Sequence, residues 1–276
     1  YDQAPKEIEL DVDTIVVATG YDPYSPLSDQ EYNYGVFQNV VTSLEVERML
    51  NASGPTAGKV LRPSDLKEPR RVVYAQCVGS RNERTNLYCS RVCCMYAVKQ
   101  ARQLKEKHPE IDVRIFYIDI RAFGKGFEEF YERTAKDYGV LFTRGRVAEI
   151  LEEPKTQNLI VRAEDTLSGN PLEIEADLVV LSVGITPSVD TKEIRRVLKI
   201  PTGPDGFFSE AHPKLRPVDT VVEGVLIAGT AAGPKDIPDA VAQAKAAASG
   251  AASLMAPGVY VVEPYYATVD DSICGG

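Results

Sequence analysis

Residues 71–107 read RVVYAQCVGSRNERTNLYCSRVCCMYAVKQARQLKEK. Residues 71–77 are an apolar, β-branched run of strand length. Residues 89–107 carry helical spacing that ends on Lys105, Lys107 and His108, cations suited to a helix C-terminus. A buried strand entering a helix through one loop is the opening half of a βαβ unit. Downstream, residues 112–119 read as the returning strand, 127–138 as a second helix and 140–143 as another short strand. Residues 147–152, 159–164 and 172–176 resemble an antiparallel meander with a Ser168-Gly169-Asn170 turn, and residues 177–183 make a buried strand before Gly184 and Pro187. The order predicts an α/β fold, a Rossmann-like unit with a β-ribbon insertion rather than a bundle or a sandwich.

Working outward, residues 13–20 (DTIVVATG) form a compact apolar run ending in Thr-Gly, as a buried strand that turns at its carboxyl end does. Pro23 and Pro26 mark a loop, residues 42–50 have helical spacing with Ser43 as a candidate cap, and the Gly- and Pro-rich residues 51–67 suit a linker. A boundary near residue 69 follows. Beyond Pro187, residues 191–198 read as a helix and 221–228 as a strand that opens the Ala-rich helix 237–255.

Composition narrows the function classes. The 276 residues carry 31 Lys plus Arg against 40 Asp plus Glu, a net charge of −9, which argues against a basic nucleic-acid footprint. With 44% hydrophobic and 26% charged residues the chain is globular rather than disordered or fibrous. No apolar run reaches the roughly 18–20 residues that cross a bilayer. Tyr1 begins without an initiator Met or an export signal, so the chain reads as a segment of a longer polypeptide. Cys274-Gly275-Gly276 stops where a ferredoxin-like C-x2-C-x2-C run could begin, although one Cys beside two Gly is also a common accidental ending. Clustered thiols in a long acidic chain point to a reducing compartment, hence the cytoplasm.

Four of the five cysteines, Cys77, Cys89, Cys93 and Cys94, fall in the pattern C-x11-C-x3-C-C. Cys77 ends a strand, and the other three converge with it only where the helix starts among them, beside free N–H groups that favour thiolates. Four thiolates suit zinc or an iron–sulfur cluster, yet this spacing matches neither a zinc ribbon nor a bacterial ferredoxin. Buried structural cysteines and a redox dithiol fit it as well. The same turn lacks the Gly-rich backbone that admits a pyrophosphate, since only Gly79 is available and Arg81, Asn82, Glu83 and Arg84 fill the loop. Nicotinamide binding is therefore not expected there.

The stretches VVYAQCVGSRNERTNLYCSRVCCMYAVKQA, DIRAFGKGFEEFYER, DGFFSEAHPKLRPVD and GPKDIPDAVAQAKAAA, flanked by IVVATGYDP and by GVLIAGTAAG from Gly224, resemble the A-type subunit of heterodisulfide reductase, specifically its C-terminal part. That family of iron–sulfur flavoproteins is related to thioredoxin reductase. The resemblance implies a Rossmann-like domain at residues 70–187, inserted between two parts of an FAD-binding domain at 1–69 and 188–265, with 266–276 as the start of a ferredoxin-like segment. It implies a [4Fe–4S] cluster on Cys77, Cys89, Cys93 and Cys94 and a second, ferredoxin-like cluster using Cys274. It further implies FAD contacts at Thr19 and Gly20 toward the ADP portion, and at Gly229, Thr230, Lys235, Asp236, Ile237 and Ala240 toward the ribityl chain and flavin. The family's first ADP-binding Gly-rich motif is not in this chain, and Thr230 stands where related reductases carry an acidic residue. A cation near the flavin ring stabilises its reduced states, for which Lys235 is the first candidate and Lys99 and Lys214 follow. His212 beside Pro213 reads as a loop residue, and the Gly-containing segment 123–130 as a turn into a helix.

The implied function is electron transfer through FAD and iron–sulfur clusters, from a hydrogenase or formate dehydrogenase type donor toward a disulfide and in some cases ferredoxin, with electron bifurcation. The partners are the other heterodisulfide reductase subunits and an electron-donor subunit. An FAD-dependent NAD(P)H oxidoreductase and a non-catalytic electron-wire scaffold are the alternatives.

Overall fold

The computed structural model describes residues 3–259, 265, 267–270, 272 and 273. Cys274, the expected ligand of a second cluster, lies outside the described residues. Along the chain run β1 (Ile15–Val17), β2 (Tyr21–Pro23), β3 (Val40–Thr42), α1 (Ser43–Leu50), β4 (Arg71–Val78), α2 (Cys93–Lys107), β5 (Asp112–Tyr117), α3 (Phe127–Lys136) and β6 (Leu141–Arg144). They are followed by β7 (Val147–Glu152), β8 (Leu159–Asp165), β9 (Asn170–Ala176), β10 (Leu178–Val183), β11 (Ile185–Pro187), α4 (Thr191–Leu198), β12 (Val225–Ile227) and α5 (Ile237–Met255).

The main sheet has five parallel strands in the order β3-β10-β4-β5-β6. Strands β4 and β10 lie inside it and are covered on both faces, which explains their near-continuous apolar sequences RVVYAQCV and LVVLSV. On one face Val72, Tyr74, Leu178 and Val180 pack under Ala97, Val98, Ala101 and Leu104 of α2 and Val46 of α1. On the other, Val73, Ala75, Val179 and Leu181 meet Ile150, Leu159 and Val161 of the antiparallel sheet β7-β8-β9. The meander is thus a second layer on the sheet, and the α/β class stands.

Two boundaries differ from the sequence reading. Helix α1 is capped by Thr42 rather than Ser43: Thr42 Oγ1 accepts from Glu45 N at 3.4 Å, and Glu45 Oε2 accepts from Thr42 N at 2.6 Å. Helix α2 starts at Cys93 rather than at residue 89, because Arg91 has φ 67°, a left-handed value that a right-handed helix excludes. Cys89 is therefore a loop residue.

The flanks meet. Strands β1 and β12 pair in parallel, Ile15 with Val225 through Val17 with Ile227, and α5 covers one face through Ala247 and Ala251. Strands β2 and β11 pair antiparallel where the chain enters and leaves the central unit. Residues 40–50, counted with the first flank in the sequence reading, are hydrogen-bonded into the central sheet through β3 and packed on it through α1. Val40–Thr42 is too short to announce its sheet without its partner β10. Among the described residues no helix is long and apolar enough to cross a membrane.

Candidate functional site

Strand β4 does not end regularly. Ala75 pairs with Leu181 and Val78 with Val183, so Gln76 and Cys77 together face Ser182 alone, and the extra residue makes a bulge. Cys77 takes φ 62° there, and Arg81 (φ 55°) shares this costly left-handed region. The loop is then tied back on itself. Arg81 N donates to Tyr88 O at 3.0 Å, Asn86 Nδ2 to Gly79 O at 2.8 Å and Tyr88 Oη to Ile185 O at 2.9 Å. Ser90 Oγ accepts from Ile185 N at 2.8 Å and is hydrogen-bonded to Ser80 Oγ. These bonds return Cys89 to the end of β4, beside the start of α2.

Cys93 and Cys94 are the first residues of α2, whose N-terminus takes no side-chain cap. Cys93 Sγ lies 3.6 Å from Val183 O, Cys94 Sγ 3.7 Å from Asp119 O, and Arg91 N donates to Cys89 Sγ at 3.3 Å. Burial is the main force raising the thiol pKa at Cys77, Cys93 and Cys94, the last to about 11, and each is raised further by charge on other members of the set. Arg81 and Arg146 oppose this at Cys77. Arg146 also donates to the Cys77 carbonyl at 3.2 Å, and Arg81 makes a bidentate pair with Asp119 at 2.6 and 3.0 Å. The four cysteines are unbridged and share one electrostatic environment.

Among the described residues no three His, Cys, Asp or Glu side chains close around a point as a single metal ion needs. The four thiols lie about an uncapped helix start, with the guanidinium groups of Arg81 and Arg146 near Cys77. Two buried side chains next to them, Gln76 and Ser182, have polar atoms with no hydrogen-bond partner, as residues that face an additional group would.

Against the cysteine loop lies an apolar cleft of about 560 Å³. Arg91 and Val92 form one wall, Tyr21, Phe123 and Phe127 others, and Thr230, Lys235, Asp236, Ile237 and Ala240 the far side, with Lys99 on α2 also lining it. The structure therefore gathers five of the expected flavin contacts and two of the three lysines in one cleft. Gly20 adjoins it, since a Cβ there would stand 4.0 Å from Thr230 Oγ1. Gly229 precedes it at φ 68°, in the short turn 229–232. Thr19 is exposed and does not line it.

The lysines differ. Lys235 is half-buried, and desolvation, then Arg91, lower its pKa. Lys99 Nζ binds Glu47 Oε1 at 2.5 Å, and Gln100 Nε2 binds Glu47 Oε2 at 2.9 Å. Lys214 is exposed on a loop away from the cleft, where His212 Nδ1 accepts from Lys214 N at 3.2 Å and so closes the turn. Helix α5 begins at the cleft with Asp236 as its N-cap, accepting from Asp239 N at 3.0 Å.

Three features at this site escape sequence reasoning. Arg91 leaves the cysteine loop to pair with Asp239 on α5 and stacks 4.6 Å over the Phe123 ring. Arg146 comes from β7's approach, far from the cysteines in sequence. Tyr24 packs its ring on Gly79, where a Cβ would come within 2.2 Å of Tyr24 Cδ1. Each depends on a tertiary contact between distant segments, and none has a local signature.

No protein-family model matches the chain. An A-type iron–sulfur subunit of heterodisulfide reductase from Methanopyrus kandleri is 58% identical to it over 100% of the chain and 42% of the relative. The A-type subunit of a heterodisulfide, ferredoxin reductase from Methanococcus maripaludis is 56% identical over the same shares. The chain thus spans less than half the length of these relatives. Among solved structures, thioredoxin reductase of T. acidophilum aligns with TM-score 0.54 and 17% identity over 87% of this chain and 65% of that one. That of Lactococcus lactis aligns at 0.53 and 18% over 87% and 67%. These structures share the fold. The agreement in sequence over its whole length establishes that the chain belongs to the family of A-type heterodisulfide reductase subunits, of which it represents one part.

Proposed function

We propose that this chain is an electron-transferring part of an oxidoreductase, a heterodisulfide reductase-type flavoprotein, with FAD in the apolar cleft and a [4Fe–4S] cluster on Cys77, Cys89, Cys93 and Cys94. The observation that carries this reading is adjacency: Arg91 and Val92, between Cys89 and Cys93 in sequence, form a wall of the cleft. When bound, the flavin accepts electron pairs and the cluster single electrons, so a site for each side by side suits a converter between two-electron and one-electron chemistry.

The chain's own groups would divide the work. Thr230, Asp236, Ile237 and Ala240 position the flavin, with Gly20 and Thr19 toward its ADP portion. Tyr21, Phe123 and Phe127 exclude water. Lys235 supplies positive charge from within a partly desolvated wall, and Lys99, oriented by Glu47, does so from α2. Lys214 is too far out on its loop for that role. Arg81 and Arg146 lower the cost of negative charge at Cys77.

By analogy with the relatives' names, electrons would pass between a hydrogen- or formate-linked donor and a heterodisulfide, with ferredoxin as a further acceptor, in complex with the other subunits. The clustered free thiols favour a reducing compartment, the cytoplasm. A direct NAD(P)H oxidoreductase is disfavoured by the Tyr24 ring on Gly79 and by the Arg81–Asp119 pair, which occupy the first turn and the second strand end of the central unit. Anaerobic iron, sulfide and flavin analysis of the intact protein is the test. Wild type should carry this cluster in addition to any others, and Cys89→Ser or Cys94→Ser should lose about four irons and their spectroscopic signal while retaining flavin. Unchanged iron content would refute the cluster. A cluster-loaded protein whose flavin never exchanges electrons would leave only the scaffold role.

A further inference from the structure

Gln76 on β4 and Ser182 on β10 are 4% and 0% exposed, and Gln76 Nε2, Gln76 Oε1 and Ser182 Oγ have no hydrogen-bond partner. Burying such groups unpaired is costly, so hydrogen bonds beyond those present here are expected once the site is filled. The alternation of the sheet locates them. Val73, Ala75, Val179 and Leu181 face the β7–β9 layer, whereas Tyr74 and Val180 face α2. Gln76 and Ser182 follow Tyr74 and Val180 by two positions and so face α2 as well. They stand near the carboxyl end of the parallel strands, where α2 begins with Cys93 and Cys94. Gln76 adjoins Cys77 in sequence, and Ser182 adjoins Val183, whose carbonyl is 3.6 Å from Cys93 Sγ. Tyr74, whose hydroxyl is also unpartnered, lies one layer deeper.

We infer that Gln76 donates its carboxamide N–H to a sulfur of the group held by Cys77, Cys89, Cys93 and Cys94, and that Ser182 donates to Gln76 Oε1 and fixes the amide in that orientation. This rests on the cluster reading above. An N–H donor stabilises the extra negative charge of the reduced cluster and raises its potential. Gln76 tunes the cluster directly, and Ser182 is a positioning residue.

The test uses the full-length protein, purified anaerobically, with iron and sulfide analysis followed by a redox titration of this cluster monitored by electron paramagnetic resonance. Gln76→Leu should keep its iron and sulfide while its midpoint potential falls, by about 59 mV for each tenfold loss in the one-electron reduction equilibrium. Ser182→Ala should shift it in the same direction by less, and Tyr74→Phe should leave it in place. An unchanged potential in a fully loaded Gln76→Leu variant would overturn the inference. Where that variant loses its cluster, Ser182→Ala carries the test, and an unshifted potential there overturns it. An equal shift in Tyr74→Phe would overturn it too, by assigning the effect to the general polarity of the face. Wild type without iron at these cysteines would instead remove the underlying cluster reading, a failure seen in the metal analysis and not in the titration.

Discussion

Arg91, held at a left-handed φ of 67° between Cys89 and Cys93, reaches out of the cysteine loop to pair with Asp239 in the first turn of α5. The contact joins the central unit to the flanking one across the apolar cleft, and Phe123 supports it from below through a cation–π contact at 4.6 Å. Both partners are partly exposed, at 34% and 44%, so the ion pair itself is worth little.

Arg91→Ala should accordingly lower unfolding stability by only about 1–2 kcal/mol, the sum of a weak ion pair and a weak cation–π contact. Its larger expected effect is on the relation between the two sites, because the same side chain walls the cleft and adjoins two cysteines. Thermal unfolding should shift slightly, whereas electron exchange between flavin and cluster, followed by stopped-flow absorbance, should slow by at least tenfold. A rate equal to wild type would show that the contact is only structural.

Gly79 tests the turn that lost its glycines. A methyl group there would stand 2.2 Å from Tyr24 Cδ1 at φ 72°, and the Tyr24 ring is anchored by its hydroxyl to Asp29 at 2.8 Å. Gly79→Ala therefore combines overpacking with backbone strain and should cost about 2–4 kcal/mol. The double variant Gly79→Ala, Tyr24→Ala should recover part of that loss relative to additivity, which a double-mutant cycle by urea unfolding measures.

Strands that announce themselves in sequence are those buried on both faces. Arg71–Val78 and Leu178–Val183 need an apolar residue at nearly every position, and no partner has to be known to see it. Val40–Thr42, Tyr21–Pro23 and Ile185–Pro187 are three residues each, and their strand character comes from β10 or from one another. The cysteine set was visible as spacing, but spacing alone put Cys89 on a helix. The left-handed Arg91 breaks that helix, and its side chain is engaged by Asp239 and Phe123, which lie 148 and 32 residues away. The cleft was half legible: Thr230 to Ala240 through resemblance, but not Tyr21, Phe123 or Phe127, which reach it only once three separate segments are packed.

Glu47 supplies a pH signature. Burial acts to raise its carboxyl pKa, but hydrogen bonds from Lys99 and Gln100 outweigh this and hold it below the usual value. A carboxylate held lower in the folded chain than in the unfolded one adds stability above its unfolded pKa and loses it as pH falls through the folded value. Wild type should exceed Glu47→Gln most near neutral pH, by about 0.5–1 kcal/mol given how exposed the pair is, and the gap should shrink as pH falls below the ordinary glutamate value and through the lower folded one. Urea midpoints measured between about pH 7 and pH 3 check this, and a gap that widens on acidification would contradict the assigned direction.

The last expectation concerns nicotinamide. In a dinucleotide-binding unit the first strand–helix turn offers glycine backbone to the pyrophosphate and an acidic side chain at the second strand's end to the ribose. Here the Tyr24 ring lies on Gly79, and Asp119, just beyond the end of β5, is engaged by Arg81 at 2.6 and 3.0 Å and by Arg121 at 3.3 Å. Asp119 would have to give up two cationic partners to meet a ribose. These pairs hold its carboxyl below the usual range although burial pulls the other way. NADH or NADPH titrated anaerobically into the flavin-loaded full-length protein should leave the flavin absorbance unchanged at micromolar concentration with no partner present. Arg81→Ala, which frees Asp119 but leaves Tyr24 in place, should not create the activity either, because the pyrophosphate position stays filled. Rapid bleaching of the wild-type flavin by either nucleotide would favour the direct oxidoreductase over the cluster-linked carrier.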